Sequence, residues 1–99
     1  MLEETKGAEY YIYVISDATG ETAETVTLAA LSQFKKKDII ISRIGNGRSD
    51  DHIRIAVKEA AEVRGLIVYT LVSDRLRRVL KEEAHRYQIL TIGIIGPLL

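Results

Sequence analysis

A chain of 99 residues is long enough for one domain with a single hydrophobic core. Its 14 basic and 14 acidic residues give a formal net charge of +0, which argues against a nucleic-acid-binding or lipid-binding function that depends on a general positive field. The sequence has no cysteine, which excludes disulfide bonds and thiolate metal sites, and it has no apolar run of membrane-spanning length. We therefore expect a cytoplasmic protein without a nucleic-acid or membrane partner.

Strand-like and helix-like segments alternate from residue 10 onwards. Residues 10–16 are almost entirely apolar, which is typical of a strand covered on both faces. Residues 21–35 have apolar side chains at helical spacing. Those expected to face inward are Ala23, Val26, Ala29, Ala30, Leu31 and Phe34. Lysines 35–37 fall in the last turn of this helix, where cations favour the negative end of the helix dipole.

The second half of the chain repeats this alternation. Strands are predicted at residues 39–44, 66–72 and 89–95, the last interrupted by Gly93 and stopped at residues 96–97. Ser49 or Asp50 can cap the second helix, which Gly65 ends, and Ser73 or Asp74 can cap the third. The expected inward residues are Ile53, Ala56, Val57, Ala60 and Val63 in the second helix and Leu76, Val79, Leu80, Ala84 and Tyr87 in the third.

Strands that are apolar on both faces and joined by helices predict a parallel sheet with helices on both sides. Right-handed crossovers favour four strands in the order 2-1-3-4. The predicted fold class is thus α/β, a three-layer Rossmann-like or flavodoxin-like open sheet. Pro97 suits the first turn of a further helix, so we expect residues 1–99 to be a single domain from the N-terminal part of a longer chain.

The polar turn SDATGETAE at residues 16–24 is the main candidate site. In the predicted strand order it opens where the winding of the sheet reverses, which is the usual ligand crevice of such folds. A phosphate could be held by the hydroxyls and by the unpaired N–H groups at the helix start. The residues concerned are Ser16, Thr19, Gly20, Glu21 and Thr22.

Negative charge in this turn opposes a phosphate. Asp17, Glu21 and Glu24 would repel a dianion unless Mg²⁺ or basic residues compensated for them. Arg43 and Arg48 flank the glycine turn at residues 45–47, which leaves the sheet at the same edge, and they could supply the positive charge.

Other interpretations of the same residues stay open. Asp17 could accept a proton from a substrate hydroxyl. The whole turn could instead be a capped helix start, with Thr19 as the cap and the acids favouring the dipole. Thr70 could point into the crevice or be a buried strand residue.

Several familiar kinds of site are not predicted. The sequence has no G-x-x-x-x-G-K-[ST], G-x-G-x-x-G or H-E-x-x-H pattern, and His52 and His85 read as exposed helix residues. A triad of Ser16, His85 and Asp17 can be drawn but has no nucleophile elbow. Four basic residues of the third helix are expected to form a solvated face, partly paired with Glu82 and Glu83. They are Arg75, Arg77, Arg78 and Lys81.

Residues 12–24, IYVISDATGETAE, followed by LSQF at 31–34, resemble the opening of the pyruvate, phosphate dikinase and phosphoenolpyruvate synthase regulatory proteins. The stretches VYTLV at 68–72, Leu76-Arg77 and GPLL at 96–99 resemble later parts of that family in the same order. The S-D-x-T-G-x-T-A-E string is the most specific of these matches. The family usually has an aspartate just before G-P-L-L, where this chain has Gly93 or a neighbour.

The resemblance implies a bifunctional enzyme that uses ADP to phosphorylate a threonine of the dikinase or synthase. It also implies removal of that phosphate with inorganic phosphate, which releases pyrophosphate. The family's P-loop-like nucleotide motif lies outside these residues. We therefore expect this domain to be inactive alone, to bind no cofactor itself, and to form one wall of the active cleft or dock the target enzyme. Its partners would be its own C-terminal domain, the target enzyme and a second copy in a homo-oligomer.

Two other functions are compatible with the residues. The first is a non-catalytic small-ligand or partner-binding module of receiver-like topology, although only Asp17 lies at the end of the first strand and no lysine follows Lys81. The second is an autonomous hydrolase that uses the 16–24 turn, which would require a base and a charge stabiliser that the sequence does not identify.

Overall fold

The computed structural model of the chain describes residues 10–32 and 39–94. These residues form strands and helices in strict alternation, which confirms the predicted order. The elements are β1 (Tyr10–Ser16), α1 (Glu21–Leu31), β2 (Ile39–Ile44), α2 (Asp50–Glu62), β3 (Leu66–Thr70), α3 (Asp74–Tyr87) and β4 (Thr91–Gly93).

The strands form one parallel sheet in the order β2-β1-β3-β4, as predicted. The ladder between β1 and β2 ends with Ile15 opposite Ile44. The ladder between β1 and β3 ends with Ser16 opposite Thr70. The loops that follow β1, β2 and β3 therefore leave the sheet side by side, at the carboxyl ends of the strands.

Helices α2 and α3 pack together on one face of the sheet and form the larger core. Ile15 and Ile67 of the sheet contact a cluster that includes Ile53 of α2 and Leu80 of α3, and all four side chains are fully buried. The apolar residues of α2 and α3 recur every 3 or 4 positions, so they lie on one face of each helix, and that face packs on the sheet.

Among the described residues, α1 is the helix that covers the other face of the sheet. Ile12, Val14 and Val68 pack there against Ala23 of α1 and form a smaller core. Helices thus lie on both faces of the sheet, as the continuous apolar strands predicted. Exposed apolar side chains remain on this side, with Val26 of α1 43% exposed and Ile92 of β4 49% exposed.

The predicted inward stripe of α1 is wrong in part. Val26, Ala29 and Ala30 are exposed, and the buried residues are Ala23 and Thr27. The Thr27 hydroxyl donates a hydrogen bond to the Ala23 carbonyl at 2.8 Å, so this polar side chain can be buried without leaving an unpaired group. The predicted residues Phe34 and 35–37 lie outside the described residues.

Some predicted boundaries and inward residues also differ. β3 ends at Thr70, because the chain then turns away to start α3. β4 comprises Thr91–Gly93. The proposed inward residues Val63 and Tyr87 are 36% and 39% exposed, since each lies where its helix ends. The predicted strand end at residues 95–97 lies outside the described residues.

Of the two candidate caps predicted for each of α2 and α3, the serine is the residue that caps the helix. Ser49 accepts a hydrogen bond from the His52 N–H at 3.0 Å, and Ser73 accepts one from the Leu76 N–H at 3.2 Å. The residue that turns the chain after α2 is Arg64, with φ 55, rather than Gly65. Within residues 10–32 and 39–94, no helix has the length and apolar character required to cross a membrane.

Candidate functional site

The turn after β1 is stabilised by a local hydrogen bond and by the backbone conformation of a glycine. The buried Ser16 side chain accepts a hydrogen bond from the Ala18 N–H at 2.9 Å. Gly20 is the N-cap of α1 and has φ 84, a left-handed conformation that favours glycine. The prediction that Thr19 caps the helix is wrong, because its hydroxyl accepts only from the Glu21 N–H, at 3.3 Å, and the N-cap itself has no side-chain bond.

The loop after β2 packs directly onto this turn. The N–H groups of Asn46 and Gly47 donate to the carbonyls of Ala18 and Ser16, the second at 2.9 Å. A Cβ atom at Gly45 would lie 2.8 Å from the Thr19 carbonyl oxygen. Glycine at this position therefore permits an approach between the two backbones that a side chain would prevent.

The two arginines that flank this loop have different surroundings. Arg43 Nη1 forms an ion pair with Glu24 Oε1 at 2.8 Å, and its side-chain stem lies over Gly20. Arg48 Nε donates to the Asp17 carbonyl at 3.2 Å, and its Nη2 lies 3.5 Å from Asn46 Oδ1. Arg43 is thus paired with a carboxylate, whereas the hydrogen-bond partners of Arg48 are uncharged oxygens.

The carboxylate of Asp17 binds the loop after β3. Its Oδ2 accepts hydrogen bonds from the backbone N–H of Val72 at 3.0 Å and of Ser73 at 3.4 Å. Together with the bond from Arg48 to its carbonyl, these contacts make Asp17 the residue at which all three neighbouring loops meet. Sequence reasoning missed this role, because Val72 is 55 residues away along the chain.

Arg77 holds the same loop from its other side. Its Nη1 donates to the carbonyls of Leu71 at 2.7 Å and Val72 at 3.1 Å, and it also forms an ion pair with Asp74. Arg75 pairs with Asp50. The expected pairing of this basic helix face with Glu82 and Glu83 is therefore wrong, and Glu83 instead lies 3.7 Å from Arg54.

A cavity of about 170 Å³ opens between the turn after β1 and the loop after β3. Its lining consists of residues 16–20, Thr22 and Ala23 on one side and Thr70 and Val72 on the other. Thr70 is half-buried and lines this cavity. Of its two interpretations, a residue at the crevice and a buried strand residue, the structure favours the first. The Val72 side chain is 85% exposed at the cavity mouth.

The other histidine and carboxylate side chains considered in the sequence analysis do not come together in one site. No group of three histidine, aspartate or glutamate side chains in residues 10–32 and 39–94 could hold a metal ion. Asp17 Oδ2 accepts from backbone amides, and Glu24 Oε1 pairs with Arg43. His52 and His85 are exposed, as predicted. His85 lies in the last turn of α3, at the opposite edge of the sheet, so the triad with Ser16 and Asp17 does not form.

Comparison with known proteins identifies the family. Residues 12–99 match the family model described as kinase/pyrophosphorylase. The chain belongs to this family. The match begins within β1 and includes the SDATGETAE turn, so the resemblance carried by that string is confirmed.

Named relatives cover the same region. A pyruvate, phosphate dikinase regulatory protein of Geotalea uraniireducens is 46% identical over 88 residues, covering 89% of this chain and 33% of the relative. Regulatory proteins of the same name from Bdellovibrio bacteriovorus and Geobacter sulfurreducens are each 42% identical, covering 91% and 90% of this chain and 32% and 33% of the relative. The chain thus spans about a third of the length of the curated relatives it matches.

The resemblance leads us to expect an aspartate at Gly93 or a neighbouring residue, and the structure describes Gly93. Gly93 lies in β4, and a Cβ atom there would be 2.8 Å from the ring carbon Cζ of Tyr69. The ring of this buried tyrosine therefore occupies the space that an acidic side chain at residue 93 would need.

Proposed function

We propose that this chain is the N-terminal domain of a cytoplasmic regulatory protein that modifies a threonine of pyruvate, phosphate dikinase or phosphoenolpyruvate synthase. In the phosphorylation reaction a phosphoryl group passes from ADP to the threonine hydroxyl and leaves AMP. In a separate dephosphorylation reaction inorganic phosphate attacks the phosphothreonine, releasing pyrophosphate and the free hydroxyl. The observation that carries this proposal is the kinase/pyrophosphorylase match across residues 12–99.

The cavity beside Asp17 is the part of this domain that we assign to the reaction cleft. It lies next to β1, between the loops after β1 and β3, at the place where open α/β sheets commonly bind ligands. Hydroxyl groups of Ser16, Thr19, Thr22 and Thr70 belong to residues that line it and could contact phosphate or the substrate threonine. We propose that the cavity forms one wall of the cleft.

The nucleotide would be bound by the rest of the family-length protein. No P-loop pattern occurs in these 99 residues. The exposed apolar side chains of Val26 and Ile92, on the side of the sheet where α1 packs, offer a surface on which the nucleotide-binding domain could pack.

The direct test uses a protein of the relatives' length that contains these residues. It is incubated with ADP and either target enzyme, and threonine phosphorylation is measured by mass spectrometry. The phosphorylated target is then treated with inorganic phosphate, and pyrophosphate release is measured. We expect both reactions, and no tight ADP binding by the 99-residue chain in calorimetry. Absence of both reactions with both targets would contradict the proposal, and tight ADP binding by the short chain would contradict the division between domains.

Arg48 provides a more local prediction. Replacing Arg48 with alanine in the longer protein should raise the KM for inorganic phosphate in the dephosphorylation reaction by about tenfold or more, because a charge-assisted hydrogen bond contributes about 1.5–3 kcal/mol. Arg86→Ala is the matched control, since Arg86 is an exposed arginine in the last turn of α3, at the other edge of the sheet. Equal KM values for the two variants would remove Arg48 from the phosphate site.

A further inference from the structure

We propose that Asp17 is a positioning residue that fixes the loop at residues 71–73, and that it is not the proton acceptor of the reaction. The part of this proposal that concerns activity rests on the proposed function. The geometry of the loop stands independently of it, because it follows from hydrogen bonds within these 99 residues.

The first argument is the set of atoms that Asp17 contacts. Its Oδ2 accepts the N–H groups of Val72 and Ser73 at 3.0 and 3.4 Å. Two N–H donors occupy the lone pairs of Oδ2, so this oxygen is not available to take a proton from a substrate. Oδ2 is therefore directed at the backbone of its own protein and acts as a fixed acceptor.

The second argument is that the loop is held on both sides. The Val72 carbonyl accepts a hydrogen bond from Arg77 Nη1 at 3.1 Å, while the Val72 N–H is bound by Asp17. Ser73 also caps α3 through its side chain. With its N–H and carbonyl both bound, Val72 keeps a defined backbone position although its side chain is 85% exposed.

The third argument is where this loop lies. Thr70 and Val72 form one side of the cavity, and residues 16–20 form the other. The bond from Asp17 to Val72 joins the two sides, so the width of the cavity mouth depends on it. Losing the bond would let the loop move outward, and small displacements of a reaction cleft are costly because they disturb the alignment of reacting groups.

Three variants separate positioning from proton transfer. Asp17→Asn keeps an oxygen that can accept the same N–H groups but removes the basic carboxylate. Asp17→Ala removes the acceptor. Arg77→Met keeps the apolar stem and releases the loop carbonyls, and Arg77 does not line the cavity.

The first measurement is amide hydrogen exchange of Val72 and Ser73 by NMR in the 99-residue chain, with circular dichroism as a check on folding. We expect exchange to accelerate by about tenfold or more in Asp17→Ala, in line with loss of a charge-assisted hydrogen bond. Asp17→Asn should accelerate it by only about threefold. Unchanged exchange in Asp17→Ala would overturn the proposal, whatever the protein's activity.

The second measurement is the rate of threonine phosphorylation by the longer protein. Asp17→Ala should lose about a hundredfold, Arg77→Met should fall in the same direction, and Asp17→Asn should recover most of the loss. A fall of about a hundredfold or more in Asp17→Asn, with the slow amide exchange retained, would identify Asp17 as a base and overturn the proposal. If the wild-type protein transfers no phosphate to either target, the proposed function fails, and the exchange experiment still decides the role of Asp17 in the loop.

Discussion

Ile53→Ala should lower the free energy of unfolding by about 2–5 kcal/mol, as expected for removing a fully buried isoleucine and leaving a cavity. Ile53 is 0% exposed and packs in the larger core. Its side chain also lies beneath the loop after β2, since a Cβ atom at Gly47 would be 3.2 Å from Ile53 Cδ1. A domain of this size has about 5–15 kcal/mol of stability in total, so the loss would be a large part of it.

Ile55→Ala is the matched control for this prediction. Ile55 lies two positions further along α2 and is 58% exposed. The same substitution there removes little buried surface and should change stability by no more than about 0.5 kcal/mol. Urea unfolding of both variants measures the difference. Similar values for the two would mean that α2 does not present the face described to the core. Ile53→Val, with an expected loss of about 0.5–1.5 kcal/mol, keeps the comparison measurable if the alanine variant does not fold.

Gly45→Ala should destabilise the protein by about 1–3 kcal/mol, because the added methyl group overpacks the contact between two loops. The new Cβ atom would lie 2.8 Å from the Thr19 carbonyl oxygen and 2.9 Å from that of Ala18. Both are backbone atoms and cannot rotate away, so the turn after β1 must shift. That shift would weaken the hydrogen bonds from Asn46 and Gly47 to this turn.

The effect of Gly45→Ala is measured by urea unfolding and by NMR shifts of residues 16–20. Gly47→Ala is the comparison, because the nearest atoms there, Ile53 Cδ1 at 3.2 Å and the Ser16 carbonyl oxygen at 3.3 Å, are both farther away than those at Gly45. A side-chain methyl can move by a few tenths of an ångström, so we expect a smaller loss of stability and smaller shifts. A Gly45→Ala protein with wild-type stability and unchanged shifts would show that the two loops are less closely packed than described.

The fold could be predicted from local patterns because those patterns agree with one another. The apolar runs at residues 10–16 and 66–72 indicated buried parallel strands. The pairs Ser49 or Asp50 and Ser73 or Asp74 marked the starts of the next two helices. The stripe of α1 was mispredicted for a physical reason. Val26 fits the helical period, but the small residues Ala23 and Thr27 are the ones that pack on the sheet, and Thr27 is buried with its hydroxyl bonded to its own helix.

The candidate site was only partly predictable. The position of the 16–24 turn beside the reversal in strand order followed from topology, and so did its closeness to Arg43 and Arg48. The hydrogen-bond partners of the individual side chains could not be predicted from topology. Arg43 pairs with Glu24, and Arg77, read as part of a solvated helix face, holds the carbonyls of Leu71 and Val72.

The sequence by itself determined the alternation of strands and helices, the order of the sheet and the family, because these depend on periodicity and on contiguous strings of residues. Only the tertiary structure decided what Asp17 contacts. Its partners at Val72 and Ser73 are brought to it by the β1–β3 register that pairs Ser16 with Thr70. Hydrogen bonds require distances near 3 Å, and a distance of that kind between residues far apart in the chain is set by the packing of the whole sheet.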